Sequence, residues 1–168
     1  MSLDTTPIYG HEDTSFKAAG GVEGIQKLVK DFYRIMDEFP DASVIRKMHP
    51  DNLEVSVDKL ARFLCGWLGG PKLYNERYGP ISIPSAHAHL VIGEHERDSW
   101  LSCMQEAISL QPYSADFAEY LLVQLRVPAE RIFQSSKKLR QTSKKYGHTK
   151  CTHMLMSDNS QCKVSSQL

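Results

Sequence analysis

Residues 94–108 read Glu94-His95-Glu96-Arg97-Asp98-Ser99-Trp100-Leu101-Ser102-Cys103-Met104-Gln105-Glu106-Ala107-Ile108. Trp100, Leu101, Met104, Ala107 and Ile108 recur at three- and four-residue intervals, which gathers apolar side chains on one face of a helix. Glu94, Glu96 and Asp98 sit at the start of that helix, where carboxylates meet the positive end of its dipole. Pro112 breaks it. The segment is therefore an amphipathic helix, with a tryptophan near its start and on its apolar side.

The flanking segments carry the same period. Ile25, Leu28, Val29, Phe32, Tyr33 and Met36 mark a helix of about four turns, preceded by Gly20-Gly21 and followed by Pro40. A short helical segment with Val44, Ile45 and Met48 runs to His49-Pro50. Leu53, Val57, Leu60, Leu64 and Trp67 or Leu68 line another apolar stripe, stopped by Gly69-Gly70-Pro71. Residues 71–86 read as a loop rich in turn residues, followed by an apolar patch, His87 to Ile92. A last helix carries Phe117, Tyr120, Leu121 and Leu125, with Pro128 and Ile132 beyond it. No window alternates as a half-buried strand does. The expectation is an all-α core of five or six helices, and a loop of about 16 residues in its middle is long enough to suggest a function.

The chain has 168 residues, 41% of them hydrophobic and 24% charged, with 20 Lys+Arg balancing 20 Asp+Glu. That composition suits one globular domain, and a chain this long buries roughly 70% of its unfolded surface without needing disulfides or zinc. The zero net charge hides an asymmetry. Residues 137–168 hold seven basic residues and one acidic residue, which gives +6 against −6 for the rest. After Phe133 large apolar residues become scarce. The expected organisation is an N-terminal extension over 1–13, a domain over 14–136, and a basic, flexible, disordered tail over 137–168. Aromatic residues do not interleave with the tail's charges, so a nucleic-acid partner is not expected. Residues 1–10 contain no apolar run, and no stretch approaches the roughly 18 apolar residues of a membrane span, so a soluble cytoplasmic protein with no membrane partner is expected. Four widely spaced cysteines, Cys65, Cys103, Cys151 and Cys162, suit a reducing compartment. Cys151-Thr152-His153 with Cys162 falls short of a zinc site.

Several residues could carry chemistry. His87-Ala88-His89 places two imidazoles two apart, so on a helix one could face a pocket and the other away. Histidine is a common ligand for a transition metal or a haem iron, although an arbitrary pair is more often two surface or capping side chains. A zinc site would need two further ligands, and Cys65 and Cys103 belong to no ligand motif. Tyr33 is either a core tyrosine bonded to backbone or a donor aimed into a cavity. Trp100 is either a large core side chain or an indole donor. His49, before a proline, is either a cap or a pocket residue.

Taken together, these residues resemble a family. Gly20-Gly21, Phe32-Tyr33, Gly69-Gly70-Pro71 followed by Tyr74, and above all Glu96-Arg97-Asp98-Ser99-Trp100-Leu101-Ser102-Cys103-Met104 are similar to the motifs of the group II truncated haemoglobins. The resemblance spans about Gly20 to Phe133, and the tryptophan motif is its most specific part. It implies a two-over-two helical sandwich around a pocket for haem b. It makes His87, thirteen residues before Trp100, the proximal iron ligand, with His89 as the alternative. It makes Tyr33, Trp100 and His49 the groups that stabilise a distal ligand, and puts Ser56 and Leu60 on the distal helix facing the iron, with Phe63 also in the pocket. Relatives tend to carry arginines just before the proximal histidine, where this chain has Ile83-Pro84-Ser85-Ala86. Lys59, Arg62 and Arg77 are the expected substitutes for holding the propionates.

Three classes of function follow from the resemblance. The first is binding of oxygen, carbon monoxide or nitric oxide, with slow oxygen release, as in a sensor, scavenger or redox catalyst. The second is nitric oxide dioxygenation or peroxidase-type turnover with peroxide, served by an outside electron donor. The third is a haem-free all-α interaction module. If the pocket flexes, His49 or Tyr33 could itself coordinate the iron when no ligand is present.

Overall fold

The structure is a computed structural model and describes residues 8–147. Every regular element among them is helical: α1 (Thr14–Ala18), α2 (Gly21–Glu38), a 3-10 turn (Pro40–Ala42), α3 (Ser43–Lys47), α4 (Glu54–Trp67), α5 (Leu73–Tyr78), α6 (Ile83–Ala86), α7 (Glu94–Ser109) and α8 (Ala115–Gly147). Helix α2 packs on α4 and on α7, and α7 packs on α8. These contacts make two helix pairs that share one core, the two-over-two arrangement.

The periodicity explains the packing. In α2 the stripe Ile25, Leu28, Val29, Phe32 and Met36 is fully buried. It meets Ala61, Leu64 and Cys65 of α4, Cys103, Met104 and Ala107 of α7, and Phe117, Leu121 and Leu125 of α8 in one cluster. Burying each large apolar side chain stabilises the fold by roughly 1.5–3 kcal/mol. Helix α7 begins where the acidic run predicts, with the Gly93 N–H donating to the Glu96 carboxylate at 2.8 Å.

The two-glycine stop after α4 has a steric cause. Gly69 adopts φ +92°, and a Cβ there would overlap the Glu12 carbonyl. A Cβ on Gly70 would run into the Phe16 ring. The glycines therefore let the end of α4 dock against the start of the chain.

The structure departs from the sequence reading at three places. Residues 71–86 are not a bare loop, since α5 and α6 form within them. Residues 8–13 pack on the domain, because the Tyr9 ring lies 5.1 Å from Phe117 and 5.2 Å from Tyr120. The disordered tail expected from residue 137 is, over 137–147, a continuation of α8. Pro128 lies inside that helix, where it removes its own N–H bond and crowds the carbonyl four residues back. The buried stripe Phe117, Leu121, Leu125 resumes beyond it at Phe133 and Ser136, so packing carries the helix past the proline. Cys151, His153 and Cys162 lie outside the described residues. No helix among the described residues is long and apolar enough to cross a membrane.

Candidate functional site

Tyr33 comes from the buried face of α2 and is 7% exposed. Burial pushes its phenol up to about 12, and the Ser56 hydroxyl beside it pulls the other way. The Tyr33 ring meets His49 edge-on, with centroids 5.5 Å apart. Phe32 sits 5.0 Å from Tyr33 and 5.2 Å from Trp100, so one aromatic row links α2 to the start of α7.

The two histidines are set in the same way. His87 follows the last turn of α6, and its Nδ1 lies 2.7 Å from the Ile83 carbonyl oxygen. His49 follows α3, and its Nδ1 lies 2.8 Å from the Ile45 carbonyl oxygen. A carbonyl only accepts, so in each case Nδ1 carries the proton and, in the neutral ring, Nε2 keeps a free lone pair. That is the tautomer an iron ligand needs, held by a backbone carbonyl. Burial chiefly holds His49 below its ordinary pKa, the bond to Ile45 opposes this, and the charges of Arg46 and His87 add to the lowering.

Neutral His49 presents its Nε2 as an acceptor, whereas the Trp100 indole N–H can only donate.

Along α4, Ser56, Leu60 and Phe63 follow one another at helical spacing, and Leu60 and Phe63 are half-buried against the core. Phe63 meets Tyr74 of α5 edge-on at 6.4 Å. Lys59 lies on the edge of the same face, its Nζ 5.3 Å from the Tyr78 ring centroid, and Arg77 flanks that ring at 5.7 Å. Tyr78 donates to Asp58 at 2.7 Å. That hydrogen bond holds the Asp58 carboxyl below its usual range, and the Arg62 guanidinium adds to it.

Arg62 joins this group through Asp58. Its Nε is bonded to both Asp58 oxygens, at 2.8 and 2.9 Å. With Asp58 it lines a groove of about 610 Å³ between α2 and α4, together with Val22, Gln26, Lys30 and Cys65. That groove contains none of Tyr33, His49, His87 and Trp100. It opens on the side of α4 turned away from Ser56 and Leu60, so it is separate from the histidine-and-aromatic site. Asp58 is shared by Arg62 and by Arg77, whose Nε lies 3.6 Å from its Oδ2, so three cations, Lys59, Arg62 and Arg77, surround one carboxylate on this rim.

His89 is exposed and lies beside α8, in a second hollow with Ser136, Lys137 and Arg140. Cys65 and Cys103 are both buried, and burial pushes the Cys103 thiol up to about 11. No three His, Cys, Asp or Glu side chains gather around a metal position among the described residues. The sequence reading missed Ile83, Ile45, Asp58 and Tyr78. Two of them act through backbone carbonyls, which no side-chain motif reveals. Asp58 and Tyr78 meet only because α5 folds back on α4.

An all-α two-over-two sandwich, with one histidine anchored to a backbone carbonyl after a short helix and a second set edge-on against a tyrosine in an aromatic row, suits a globin. The bacterial-like globin family model matches residues 14–145. The group 2 truncated hemoglobin YjbI of Bacillus subtilis (strain 168) is 30% identical over 112 residues, covering 67% of this chain and 83% of that protein. The group II 2-on-2 hemoglobin of Agrobacterium tumefaciens superposes with a TM-score of 0.68 at 31% identity, over 79% of this chain and 97% of that one. The truncated oxygen-avid haemoglobin of Bacillus subtilis superposes at 0.65 with 29% identity, over 70% and 97%. The chain belongs to the bacterial-like globins and, within them, to the group II truncated haemoglobins. Its cofactor is haem b, and the haem-free reading is set aside.

Proposed function

We propose that this protein binds oxygen and other diatomic ligands tightly, with His87 as the iron's protein ligand and Tyr33 and Trp100 as distal donors. The observation that carries this reading is the fixed tautomer of His87, whose Nδ1–H is spent on Ile83 and whose Nε2 is free. Haem, when bound, would supply a ferrous iron able to take a diatomic ligand. The residues present fit the group. His87 would offer a neutral nitrogen, Leu60 and Phe63 apolar surface to the macrocycle, and Lys59, with the Asp58-paired Arg77 beside it, positive charge to its propionates.

Tyr33 keeps its proton at every physiological pH, because its pKa stands at about 12. A hydrogen bond from it, or from Trp100, to a ligand that gathers negative charge is worth about 1.5–3 kcal/mol. That corresponds to roughly 10- to 150-fold slower release for each donor. Two donors favour retention over rapid delivery. The similarity to a haemoglobin described as oxygen-avid supports the same reading. Stopped-flow measurement of oxygen dissociation tests it. Slow release that accelerates in Tyr33→Phe is expected, and a rate indifferent to both Tyr33 and Trp100 would refute the donor assignment.

A second reading is peroxidase-type turnover, and His49 favours it. Its Nε2 lone pair can accept a proton from a hydroperoxide while Tyr33 or Trp100 donates to the far oxygen. Electrons must come from an external donor, as they must for nitric oxide dioxygenation. Peroxide-driven oxidation of a dye that falls in His49→Leu, with oxygen affinity retained, would support this reading. Equal turnover in both proteins would remove it.

A further inference from the structure

Between His87 and the start of α7 the chain crosses residues 88–93 without forming a helix. Helix α8 holds that crossing at one buried residue. Ser136 is 6% exposed, and its Oγ accepts the Ile92 N–H at 3.0 Å and donates to the Leu90 carbonyl at 3.3 Å. One turn on, Arg140 Nη2 donates to the Ile92 carbonyl at 3.2 Å. The Leu90 N–H in turn donates to the His87 carbonyl at 3.0 Å. Two hydrogen bonds therefore lead from Ser136 to the backbone of His87.

The anchoring continues on both sides. Arg97, in the first turn of α7, bonds Glu130 at 2.9 Å and lies 5.0 Å from the Phe133 ring centroid. Upstream of His87, the Ala86 N–H donates to Ser82 at 2.9 Å. The His87 ring is thus fixed at Nδ1 by Ile83, and its backbone is held from the C-terminal side by α8. A serine two hydrogen bonds away can set where the imidazole stands, because the intervening segment has no regular ladder of its own to resist displacement.

We propose that Ser136, assisted by Arg140, is a positioning residue for His87. It sets the placement and tilt of the proximal imidazole from the stretch of α8 where the sequence turns basic and poor in apolar residues. This rests on His87 being the iron ligand. The expected consequence is a change in the strength and uniformity of the iron–imidazole bond, with no loss of haem.

The test is resonance Raman spectroscopy of the dithionite-reduced, full-length holoprotein, following the iron–histidine stretching band. Ser136→Ala is expected to shift and broaden the band, Ser136→Thr to restore it by returning the hydroxyl, and Arg140→Ala to give a smaller shift in the same direction. Leu139→Ala, a change to a half-exposed side chain on the same helical turn, is expected to leave the band in place. The Ile92 amide should exchange with deuterium faster in Ser136→Ala. In a His87→Gly background filled with free imidazole, Ser136→Ala should have no effect, because the ligand is no longer tied to the chain. A Ser136→Ala band superimposable on the wild type overturns the proposal. A wild-type band that persists unchanged in His87→Gly without added imidazole overturns the ligand assignment itself, and with it the proposal.

Discussion

His49 and His87 each carry the same internal bond, from Nδ1 to the carbonyl oxygen four residues back, at 2.8 and 2.7 Å. One bond fixes the chemistry of both rings, since each must present Nε2 as a base while neutral. The spacing of the sequence marked the two histidines but not their tautomers, because Ile45 and Ile83 act through atoms that every residue has. Tyr33 was legible as an aromatic on the apolar face of its helix; its proximity to Ser56 was not, because that depends on how α2 crosses α4. Tyr33→Phe is expected to accelerate oxygen dissociation about 10- to 150-fold, the range for losing one charge-assisted hydrogen bond. Stopped-flow displacement by carbon monoxide checks it.

The raised Tyr33 pKa also bears on stability. The phenol ionises near 10 in the unfolded chain and near 12 in the folded one. Stability from this group is complete below pH 10 and is lost as pH rises toward 12, because only the unfolded chain has released the proton in that window. Urea unfolding at pH 9 and pH 11 should show a smaller loss across this interval in Tyr33→Phe than in wild type. The difference is about 1 kcal/mol, because pH 11 lies midway between the two pKa values and only about half of the two-unit gap is expressed there. Equal losses would mean that Tyr33 is not desolvated in the native state.

Helices α2, α4 and α7 followed from apolar spacing because each buries one continuous stripe. Helix α8 was legible only as far as Leu125. Pro128 and the polar run after Phe133 argued for an end there, and local composition does not show that Phe133 and Ser136 meet partners 36 or more residues upstream, Arg97 and residues 90–92. A chain ended after Gln134 should therefore melt below one ended after Gly147. The gap is about 2–3 kcal/mol for the three bonds of Ser136 and Arg140, read by thermal unfolding of the holoprotein. At the other end of the fold, Gly69→Ala forces a Cβ into the Glu12 carbonyl at φ +92°. It should cost about 1–3 kcal/mol by urea unfolding, and an unchanged midpoint would mean that this approach is looser than described.

Across the molecule, the two-over-two sandwich positions chemistry by bringing helix ends together rather than by burying a single helix face. Tyr33 lies within α2, Trp100 in the second turn of α7, and His49 and His87 just past α3 and α6. The two histidines lie where short helices end, which explains why periodicity located the core readily and the site only through a motif resemblance. The cations show the same limit. Lys59, Arg62 and Arg77 look equivalent in sequence, but Asp58 pairs with Arg62 and with Arg77, while Lys59 lies over the Tyr78 ring. The central claim is that His87 holds the haem iron. Its most direct test is the absorption spectrum of the purified protein, ferric and then dithionite-reduced under carbon monoxide, for wild type and His87→Ala. A Soret band that moves under carbon monoxide in wild type, with haem lost or its ligation changed in the variant, is the expected result. A variant spectrum identical to wild type in both states would contradict it and assign the iron to another ligand.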